Sequence, residues 1–389
     1  MSVYIFAGGG TGGHLYPGLA VARELVAKEP DATIVFACSS REIDRKILDP
    51  LPYVIVPQPI QSLPRSVGKL WPFVMSYLRS RSLAKRVLAD LQSAAVLGLG
   101  GFAAGPVMVQ AARAGVRRAF LNPDAVPGKA NQMLARHAEV IFTQFESTAA
   151  AFSSRHRGKV RCVGCPIRPA FATAFRDAAS TAVARDEAVR TFGLHPARRT
   201  LLVFGGSLSS ESVSQVLGQL ADDLAPLADR WQVLHISHLP VAAEIETRLR
   251  AAGLHVTTLP YCDRMELAYA AADVVLSRGG ASTMAEIAAA GRASVIMPYP
   301  HHKDQQQKLN AAELTHAGVG AEVDYIEIGG AEIVEDYKDP FVNATHLGGH
   351  LLPILRDEKR LLHMQRSAAS VAKPNAAQTV AQWMLGSNA

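Results

Sequence analysis

The most constraining feature of the sequence is a glycine-rich segment close to its N-terminus. The apolar run Val3–Phe6 leads into GGGTGGH, which places five glycines, Thr11 and His14 within seven residues, and a segment with helical spacing, Gly18–Lys28, follows. This order predicts a buried strand, a tight loop and a helix whose free N–H groups point back at the loop, where an anion can bind. The alternative is an ordinary βα turn with an exposed histidine. Five glycines are costly for packing alone, so we favour a functional loop.

The alternation of apolar runs and helical spacing continues along the chain and restarts once. Strands of the first half are predicted at Val3–Phe6, Thr33–Ala37, Tyr53–Val56, Ala95–Leu99, Arg118–Leu121, Val140–Thr143 and Val160–Gly164. Strands of the second half are predicted at Thr200–Phe204, Gln232–Ile236, His255–Leu259, Val274–Ser277 and Ser294–Pro298. Nearly continuous apolar strands separated by helices are typical of doubly wound parallel sheets. The pattern therefore predicts an α/β protein with two Rossmann-like domains facing a cleft.

The domain bounds follow from where the pattern restarts. We expect an N-terminal domain over residues 1–165 and a C-terminal domain over 166–369, with a final helix near 370–389 that crosses back to the first domain. The charged, alanine-rich segment Phe171–Arg198 is predicted to be a connector. Gly329–Gly349 is polar and is predicted to be a loop-like insertion.

Composition narrows the class of protein. The chain has 389 residues, 49% of them hydrophobic, and a formal net charge of +6. A mildly basic protein suits phosphates, nucleotides or anionic lipid, and no nucleic-acid-binding motif is present, so we expect no nucleic acid partner. Four cysteines are too few for a disulfide framework, and the pair Cys162 and Cys165 is predicted to be structural. We expect neither a signal peptide nor a membrane-spanning segment.

A second glycine turn carries charged residues in the second half of the chain. The predicted strand Val274–Ser277 ends in Arg278 and two glycines, and a helix carrying Glu286 is expected to begin near Ser282. A carboxylate there can accept both hydroxyls of a ribose, while Arg278 and loop N–H groups can face phosphates. A helix-capping carboxylate beside a surface arginine is the alternative.

A run of polar side chains follows the next predicted strand, over Met297–Ala311. Its amides can donate and accept hydrogen bonds to sugar hydroxyls and an N-acetyl group, although a plain polar helix face is the alternative. His301, His302 and Asp304 lack the i, i+4 spacing of helical metal ligands, so no metal is expected.

Two turns of the first half are predicted to lie beside His14. Leu99–Pro106 and Ala119–Asn131 both reach the carboxyl ends of predicted strands, although either one taken singly could be an ordinary turn. Because the carboxyl ends of parallel strands lie at one edge of a sheet, Gly10, Gly101, Asn122 and Asn131 are expected to border the same site as His14.

A basic, apolar segment is a candidate membrane surface. It includes Lys69, Trp71, Phe73, Tyr77 and Arg79. Apolar area beside cations suits an anionic lipid surface. A core helix with a basic solvent face explains the same residues equally well.

Taken together these motifs resemble the MurG family of glycosyltransferases, which have the GT-B fold. The resemblance covers most of the chain, to about Val323, and rests on motifs in the family's order and spacing: GGGTGGH, GGF with GP, AVPGKAN, GCPIR, FGGS, SRGGASTMAEI and HKDQQQKLNA. It implies inverting transfer of GlcNAc from UDP-GlcNAc to the C4 hydroxyl of lipid I, giving lipid II for peptidoglycan. It also implies a peripheral enzyme on the cytoplasmic face of the inner membrane, working near cell-wall synthesis and division proteins.

The resemblance also assigns roles to residues. His14 matches the family's candidate base. The residues that match donor-binding positions are Thr11, Gly12, Gly13, Arg168, Ser207, Arg278, Ala281, Ser282, Glu286, Gln306, Gln307 and Asn310. Gly13 also matches the acceptor side, as does Asn131. The chain lacks a DxD motif for a metal, so we expect no cofactor, with Arg278 and helix N-termini stabilising the leaving UDP.

The acceptor side departs from the family pattern. Asn122 stands where the family has glutamate, Asp124 where it has asparagine, and Cys165 replaces a common asparagine. Our hypothesis is that Asp124 orients His14 or the acceptor hydroxyl. Two other functions stay open: a GT-B UDP-sugar transferase with another lipid or glycan acceptor, and a non-catalytic nucleotide-sugar-binding partner of a cell-wall complex.

Overall fold

The chain divides into two units, Met1–Arg168 with Pro374–Ala389, and Pro169–Lys373. The structure is a computed structural model that describes residues 2–61, 70–205, 211–300, 304–316, 329–336 and 340–386.

The first unit alternates strands and helices from its start. Its strands are β1 (Val3–Gly8), β2 (Thr33–Ser39), β3 (Val54–Gln58), β4 (Ala95–Gly100), β5 (Arg117–Asn122), β6 (Val140–Thr143) and β7 (Val160–Cys162). Its first helices are α1 (Gly12–Lys28), α2 (Glu42–Leu48), α3 (Leu70–Asp90), α4 (Ala104–Arg113), α5 (Lys129–Leu134), α6 (Thr148–Ala151) and α7 (Ser154–Arg157). A 3-10 turn, Ala135–His137, follows α5.

The second unit repeats the alternation. Its strands are β8 (Arg199–Phe204), β9 (Trp231–Ile236), β10 (His255–Leu259), β11 (Val274–Ser277), β12 (Ala293–Ile296) and β13 (Ala331–Ile333). Its helices are α8 (Pro169–Ala174), α9 (Ala178–Phe192), α10 (Glu211–Gln219), α11 (Ala221–Leu224), α12 (Val241–Ala251), α13 (Met265–Ala271), α14 (Ala281–Ala290), α15 (Gln306–Thr315), α16 (Pro340–Arg356) and α17 (Glu358–Ser370). A 3-10 turn, Ala225–Leu227, follows α11.

The two sheets share one topology. The first has the order β3-β2-β1-β4-β5-β6-β7 and the second the order β10-β9-β8-β11-β12-β13. All the strand pairs are parallel, and buried apolar side chains lie on both faces of the first sheet. The predicted pair of doubly wound, Rossmann-like sheets is confirmed. The order reverses between β1 and β4, and between β8 and β11, which are the positions where ligands bind in such sheets.

The chain returns to the first unit through its last helix, α18 (Ala376–Met384). The helix packs on α1, and Val380, Trp383 and Met384 belong to the core that covers one face of the first sheet. The ring of Trp383 meets that of Phe142 edge-on, with 5.8 Å between centroids. The guanidinium carbon of Arg117 lies over the Trp383 ring, 4.3 Å from its centroid. The C-terminus is therefore part of the first unit's core.

Three predicted elements were wrong. The predicted connector Phe171–Arg198 contains α8 and α9, and α9 is a capped helix: Asp177 accepts a hydrogen bond from the Ser180 N–H, and Gly193 ends it in the left-handed region. The predicted insertion Gly329–Gly349 contains β13 and the start of α16. Helix α1 begins at Gly12 instead of Gly18, so that the motif's last glycines and His14 form its first turn.

Candidate active site

Four of the glycine turns lie where the topology predicts ligand binding. In the first unit the turns follow β1 and β4, and in the second they follow β8 and β11. These are the central strand pairs at which the order of each sheet reverses. The candidate site therefore consists of one group of residues in each unit.

The glycine loop after β1 is held by a buried carboxylate. Asp44 of α2 is completely buried, and it accepts the Gly10 N–H at 2.7 Å on Oδ1 and 3.0 Å on Oδ2. Its Oδ2 also accepts the N–H and hydroxyl of Ser39, at 3.0 and 2.6 Å. Arg41 donates to the carbonyl of Gly10 at 3.1 Å. The Gly10 N–H thus donates within the protein, which leaves one N–H group fewer for the predicted anion site.

Gly9 must be glycine at this position. Its φ is +155°, and a Cβ there would lie 2.3 Å from Oδ2 of Asp44. Side chains do not tolerate such an approach, and L-residues rarely adopt this backbone conformation. A glycine is therefore required at this position to make room for Asp44, whether or not a ligand binds to the loop.

His14 lies at the start of α1, half-buried against the turn after β4. Its Nδ1 is 3.3 Å from the carbonyl oxygen of Gly9 and 3.2 Å from the hydroxyl of Thr11. A carbonyl can only accept, whereas a hydroxyl can donate or accept, so both contacts are satisfied when Nδ1 carries the proton. In that tautomer Nε2 is the basic nitrogen.

Asn131 brings an unpaired acceptor to the same place. Its Nδ2 donates to Asn122 Oδ1 at 2.8 Å, and the Asn122 amide donates to the carbonyl of Asp124 at 2.6 Å. The Asn131 side chain is 8% exposed, and its Oδ1 has no hydrogen-bond partner among the described residues. A Cβ on Gly100 would lie 3.5 Å from both this oxygen and His14 Nε2, so the two atoms border one small space. Such an orphaned acceptor fits a hydroxyl donor from a ligand.

Neighbouring predicted residues line the same part of the first unit. Gly101 lies against His14, because a Cβ on Gly101 would be 3.3 Å from the imidazole Cε1. Thr11 and Gly13 are exposed, and Gly12 contacts the ring of Tyr16. Arg168, matched to the donor side, is the last residue of this unit, with its guanidinium 5.5 Å above Tyr16.

In the second unit, Arg278 is committed to protein acceptors. The residue is 8% exposed, and its Nη1 donates to the carbonyls of Met297 and Pro298 at 2.8 and 3.0 Å. Its Nη2 contacts Ser212 and forms an ion pair of 2.7 Å with Asp336. In this structure the Arg278 guanidinium therefore faces protein groups, because a buried guanidinium takes the nearest carboxylate and carbonyls, and its contact with phosphates stays a prediction.

The glycine turn after β11 is packed tightly against α15. A Cβ on Gly279 would lie 2.2 Å from the carbonyl oxygen of Gln307, and the buried amide of Asn310 donates to the carbonyl of Gly279 at 3.2 Å. Gln307 Oε1 accepts the N–H of Tyr299 at 2.8 Å. Asn310 and Gln307 therefore shape this turn through hydrogen bonds of their own.

The N-terminus of α14 is the open end of this turn. Gly280 is its N-cap residue, and no side chain caps it. Its first N–H groups therefore need an acceptor from outside the helix, which an anion can supply. Ala281 and Ser282 are half-buried in the first turn, and Glu286 is 9% exposed in the second. Gln306 is the first residue of α15 and is half-buried.

Some predicted residues lie outside the described ranges: Lys69, Ser207, His301 and His302. Within those ranges no group of three or more His, Cys, Asp or Glu side chains could hold a metal ion. The four cysteines form no disulfide with one another, and burial raises the pKa of the Cys38 thiol to about 11.

The candidate membrane segment is an exposed helix end. Trp71 is 72% exposed at the start of α3, and Leu70, Val74 and Leu78 are exposed on the following turns. Arg79 is also exposed, whereas Phe73 and Tyr77 are half-buried and lie 6.5 Å apart. No helix in the described part of the chain is long and apolar enough to cross a membrane.

Two functional candidates escaped sequence reasoning. Asp44 holds the first glycine loop, and Asp336 holds Arg278. The available signal for Asp44 was its position just after β2, at the edge of the sheet that carries the site. Nothing local distinguishes Asp336.

Comparison with known proteins fits this architecture. The model of the glycosyltransferase family 28 N-terminal domain matches residues 4–143, and that of the C-terminal domain matches 200–380. Relatives in Clavibacter sepedonicus and Myxococcus xanthus are both named UDP-N-acetylglucosamine–N-acetylmuramyl-(pentapeptide) pyrophosphoryl-undecaprenol N-acetylglucosamine transferase. The first is 34% identical over 384 residues, covering 98% of this chain and 95% of the relative. The second is 30% identical over 385 residues, covering 98% and 92%.

A solved structure agrees with these relatives. The crystal structure of MurG from Acinetobacter baumannii superposes with a TM-score of 0.74 at 25% identity, covering 99% of this chain and all of that one. The predicted GT-B fold and family resemblance are both confirmed. The chain is a glycosyltransferase of family 28 and belongs, within that family, to the MurG N-acetylglucosaminyltransferases.

Proposed function

We propose that this protein transfers GlcNAc from UDP-GlcNAc to the C4 hydroxyl of lipid I, with inversion and without a metal ion, giving lipid II. The observation that carries the proposal is that His14 Nε2 and the buried Oδ1 of Asn131 border the same small space beside Gly100. This oxygen has no hydrogen-bond partner among the described residues. His14 Nε2 can deprotonate a sugar hydroxyl placed in this space, while a neighbouring donor of the same sugar bonds to Asn131 Oδ1. The choice of substrates rests on the names of the relatives.

The proposed reaction is a single displacement. The acceptor oxygen attacks the anomeric carbon of GlcNAc while the bond from that carbon to the β-phosphate oxygen of UDP breaks. The hydroxyl proton passes to Nε2 of His14, and the electron pair leaves with UDP. Attack from the face opposite the leaving group converts the α-linked donor into a β-linked product.

The second unit is the proposed donor site. The uncapped N-terminus of α14 can stabilise the negative charge that grows on the leaving diphosphate, because its N–H groups and helix dipole favour an anion. Glu286, one turn further along, is the proposed acceptor for the ribose hydroxyls. Arg278, Gln307 and Asn310 contribute by fixing the loops around that helix end, since their described hydrogen bonds go to the protein.

The altered acceptor side is compatible with this reaction. Asn122 keeps Asn131 in place through the hydrogen bond between their amides. Since Nδ1 of His14 already contacts Gly9 and Thr11, we assign Asp124 to the acceptor hydroxyl and not to the imidazole.

The exposed start of α3 is the proposed contact with an anionic membrane. Leu70, Trp71, Val74 and Leu78 supply apolar area, and Arg79 supplies attraction to lipid phosphates. We therefore propose that the enzyme acts peripherally at the cytoplasmic face of the inner membrane, where lipid I is the acceptor.

The function is tested with radiolabelled UDP-GlcNAc and lipid I in the presence of EDTA. We expect label in a lipid product whose new linkage is β by NMR. Restoration of activity only by Mg²⁺ would contradict the metal-free step, and an α linkage would contradict inversion. Turnover only with another lipid or glycan acceptor would support the alternative transferase, and binding of UDP-GlcNAc without any turnover would support the non-catalytic alternative.

A further inference from the structure

The peptide bond between Gly9 and Gly10 connects Asp44 to His14. Its N–H donates to the Asp44 carboxylate at 2.7 Å, and its C=O lies 3.3 Å from Nδ1 of His14. Both groups belong to one planar unit, and no cis peptide bond occurs among the described residues. In a trans peptide the N–H and C=O point in opposite directions. The carboxylate therefore lies on one side of the peptide and the imidazole on the other.

This arrangement fixes the orientation of the peptide. A flip of the Gly9–Gly10 unit would remove the N–H from a completely buried carboxylate and would leave that carboxylate with fewer donors. Leaving a buried charged group underbonded is costly. Asp44 is itself fixed from the other side by the N–H and hydroxyl of Ser39. The carbonyl of Gly9 is thus held facing His14.

The orientation of the carbonyl decides the tautomer of the imidazole. A carbonyl oxygen facing Nδ1 favours the tautomer with a proton on Nδ1 and leaves Nε2 as the base. Hydrogen bonds in a chain also polarise one another, so the carboxylate increases the acceptor strength of the Gly9 carbonyl. In a catalytic triad, a side-chain carboxylate orients the catalytic histidine by a direct hydrogen bond. Here the carboxylate orients the imidazole in the same way, but a peptide unit lies between the two.

We propose that Asp44 is a positioning residue for His14, acting through the Gly9–Gly10 peptide to hold the imidazole in the Nδ1–H tautomer. The catalytic part of this inference rests on the proposed function, in which Nε2 of His14 removes the acceptor proton. The tautomer itself does not rest on it. Gly9 contributes because glycine has no Cβ, which allows the Asp44 carboxylate to lie this close to the backbone.

The first test is made on the wild-type chain without substrates. Long-range ¹H–¹⁵N correlation spectra of the full protein, labelled with [¹⁵N]histidine, report which ring nitrogen carries the proton, and a His14→Gln sample assigns the signal. We expect the Nδ1–H tautomer in neutral His14. A dominant Nε2–H tautomer would overturn the proposal whatever the activity.

The second test uses the substitution Asp44→Asn, with Ser39→Ala as its matched control. Ser39→Ala removes one donor to the same carboxylate but keeps the bond to the Gly10 N–H, so it should leave the tautomer unchanged. Asp44→Asn should increase the Nε2–H population of His14. It should also lower kcat about 10- to 100-fold while leaving KM for UDP-GlcNAc within about twofold, because general-base catalysis contributes roughly 10²–10⁴-fold in rate.

The outcomes separate this inference from the proposed function. A folded Asp44→Asn variant with wild-type tautomer and wild-type kcat contradicts the inference. If Asp44→Asn does not fold, the wild-type tautomer decides. If the wild-type protein does not glycosylate lipid I at all, the proposed function fails, while the tautomer measurements still test the role of Asp44.

Discussion

At the scale of the residue, position 9 admits only glycine, because an oxygen of Asp44 lies against its backbone. Asp44 Oδ2 occupies the space that a side chain on Gly9 would fill, and the backbone there has a φ of +155°. Gly105 provides a contrast, since a Cβ added to it meets nothing within 4 Å and it lies inside α4. The same residue type is obligatory at one position and replaceable at the other.

The substitution Gly9→Ala should therefore be strongly destabilising. We expect it to lower the free energy of unfolding by about 2–4 kcal/mol, through the clash with Asp44 and backbone strain. Gly105→Ala should raise it by about 0.5–1 kcal/mol, because alanine loses less entropy in a helix. Urea unfolding of both variants measures the difference. Equal effects of the two substitutions would show that the carboxylate moves aside freely.

A buried histidine in the second unit makes stability depend on pH. His235 is 1% exposed, its Nε2 lies 3.0 Å from the hydroxyl of Ser214, and burial lowers its pKa from 6.5 to about 4. Between these values the unfolded chain binds a proton that the folded chain does not. The contribution of neutral His235 is therefore complete above about pH 6.5 and is lost as the pH falls towards 4.

Replacing this histidine should flatten the pH dependence. One pKa unit corresponds to about 1.4 kcal/mol, so the loss between pH 6.5 and 4 amounts to about 3 kcal/mol in the wild-type protein. In His235→Gln we expect the difference in unfolding free energy between pH 7 and pH 4.5 to shrink by about 2 kcal/mol. His195→Gln, at an exposed position, is the control. An unchanged pH dependence in His235→Gln would contradict the assignment.

At the scale of elements, helix α3 has two different faces, one buried and one exposed. Ser76, Ser80, Ala84 and Leu88 form its buried stripe, whereas Trp71 and Leu78 are exposed large hydrophobic side chains. The helix packs on the first unit along one face and presents apolar groups and cations on another, so contact with a membrane stays a prediction for the exposed face. An exposed patch of this kind indicates an interaction surface.

Membrane binding should depend on that exposed face. The double substitution Trp71→Ser with Leu78→Ser should abolish co-sedimentation with vesicles containing phosphatidylglycerol, because it removes the apolar area that enters the interface. Val183→Ser, which changes a 67% exposed side chain on α9, should leave sedimentation unchanged. Equal binding by the double variant and the wild type would leave α3 without a role at the membrane.

The elements also show what a sequence can and cannot predict. β6 and β11 have the bounds expected from their apolar runs, because strands buried in a parallel sheet are nearly continuously apolar. β10, a half-buried edge strand, also has the expected bounds, because its β-branched residues favour a strand. β13 has three residues, one of them a glutamate, at the edge of its sheet, and no apolar run identifies it. α9 was missed because its apolar stripe is narrow and polar residues surround it.

Only those parts of the site that follow from a local sequence pattern could be predicted. His14 and the glycine turns follow strands whose order places them at the switch points. Asp44 lies 34 residues from the Gly10 N–H that it accepts, and Asp336 is further still from Arg278. Such contacts depend on the packing of separate elements, so no local spacing encodes them.

At the scale of the whole molecule, the chain builds two parallel sheets of like strand order, one of seven strands and one of six, and returns to the first unit through α18. Each unit has its own group of candidate residues at its own switch point. In the proposed reaction the first unit binds the acceptor and removes its proton, and the second unit binds UDP-GlcNAc. A substitution of the base should therefore change the chemical step without changing donor binding.

The most direct test compares GlcNAc transfer to lipid I by the wild type and by His14→Ala at saturating substrates, with UDP-GlcNAc affinity measured separately by calorimetry. His137→Ala, in the 3-10 turn after α5, is the matched histidine control. We expect kcat of His14→Ala to fall by about 10²–10⁴-fold with donor affinity unchanged, and the control to keep wild-type turnover. Transfer by His14→Ala within a few-fold of the wild type would contradict the assignment of His14 as the base.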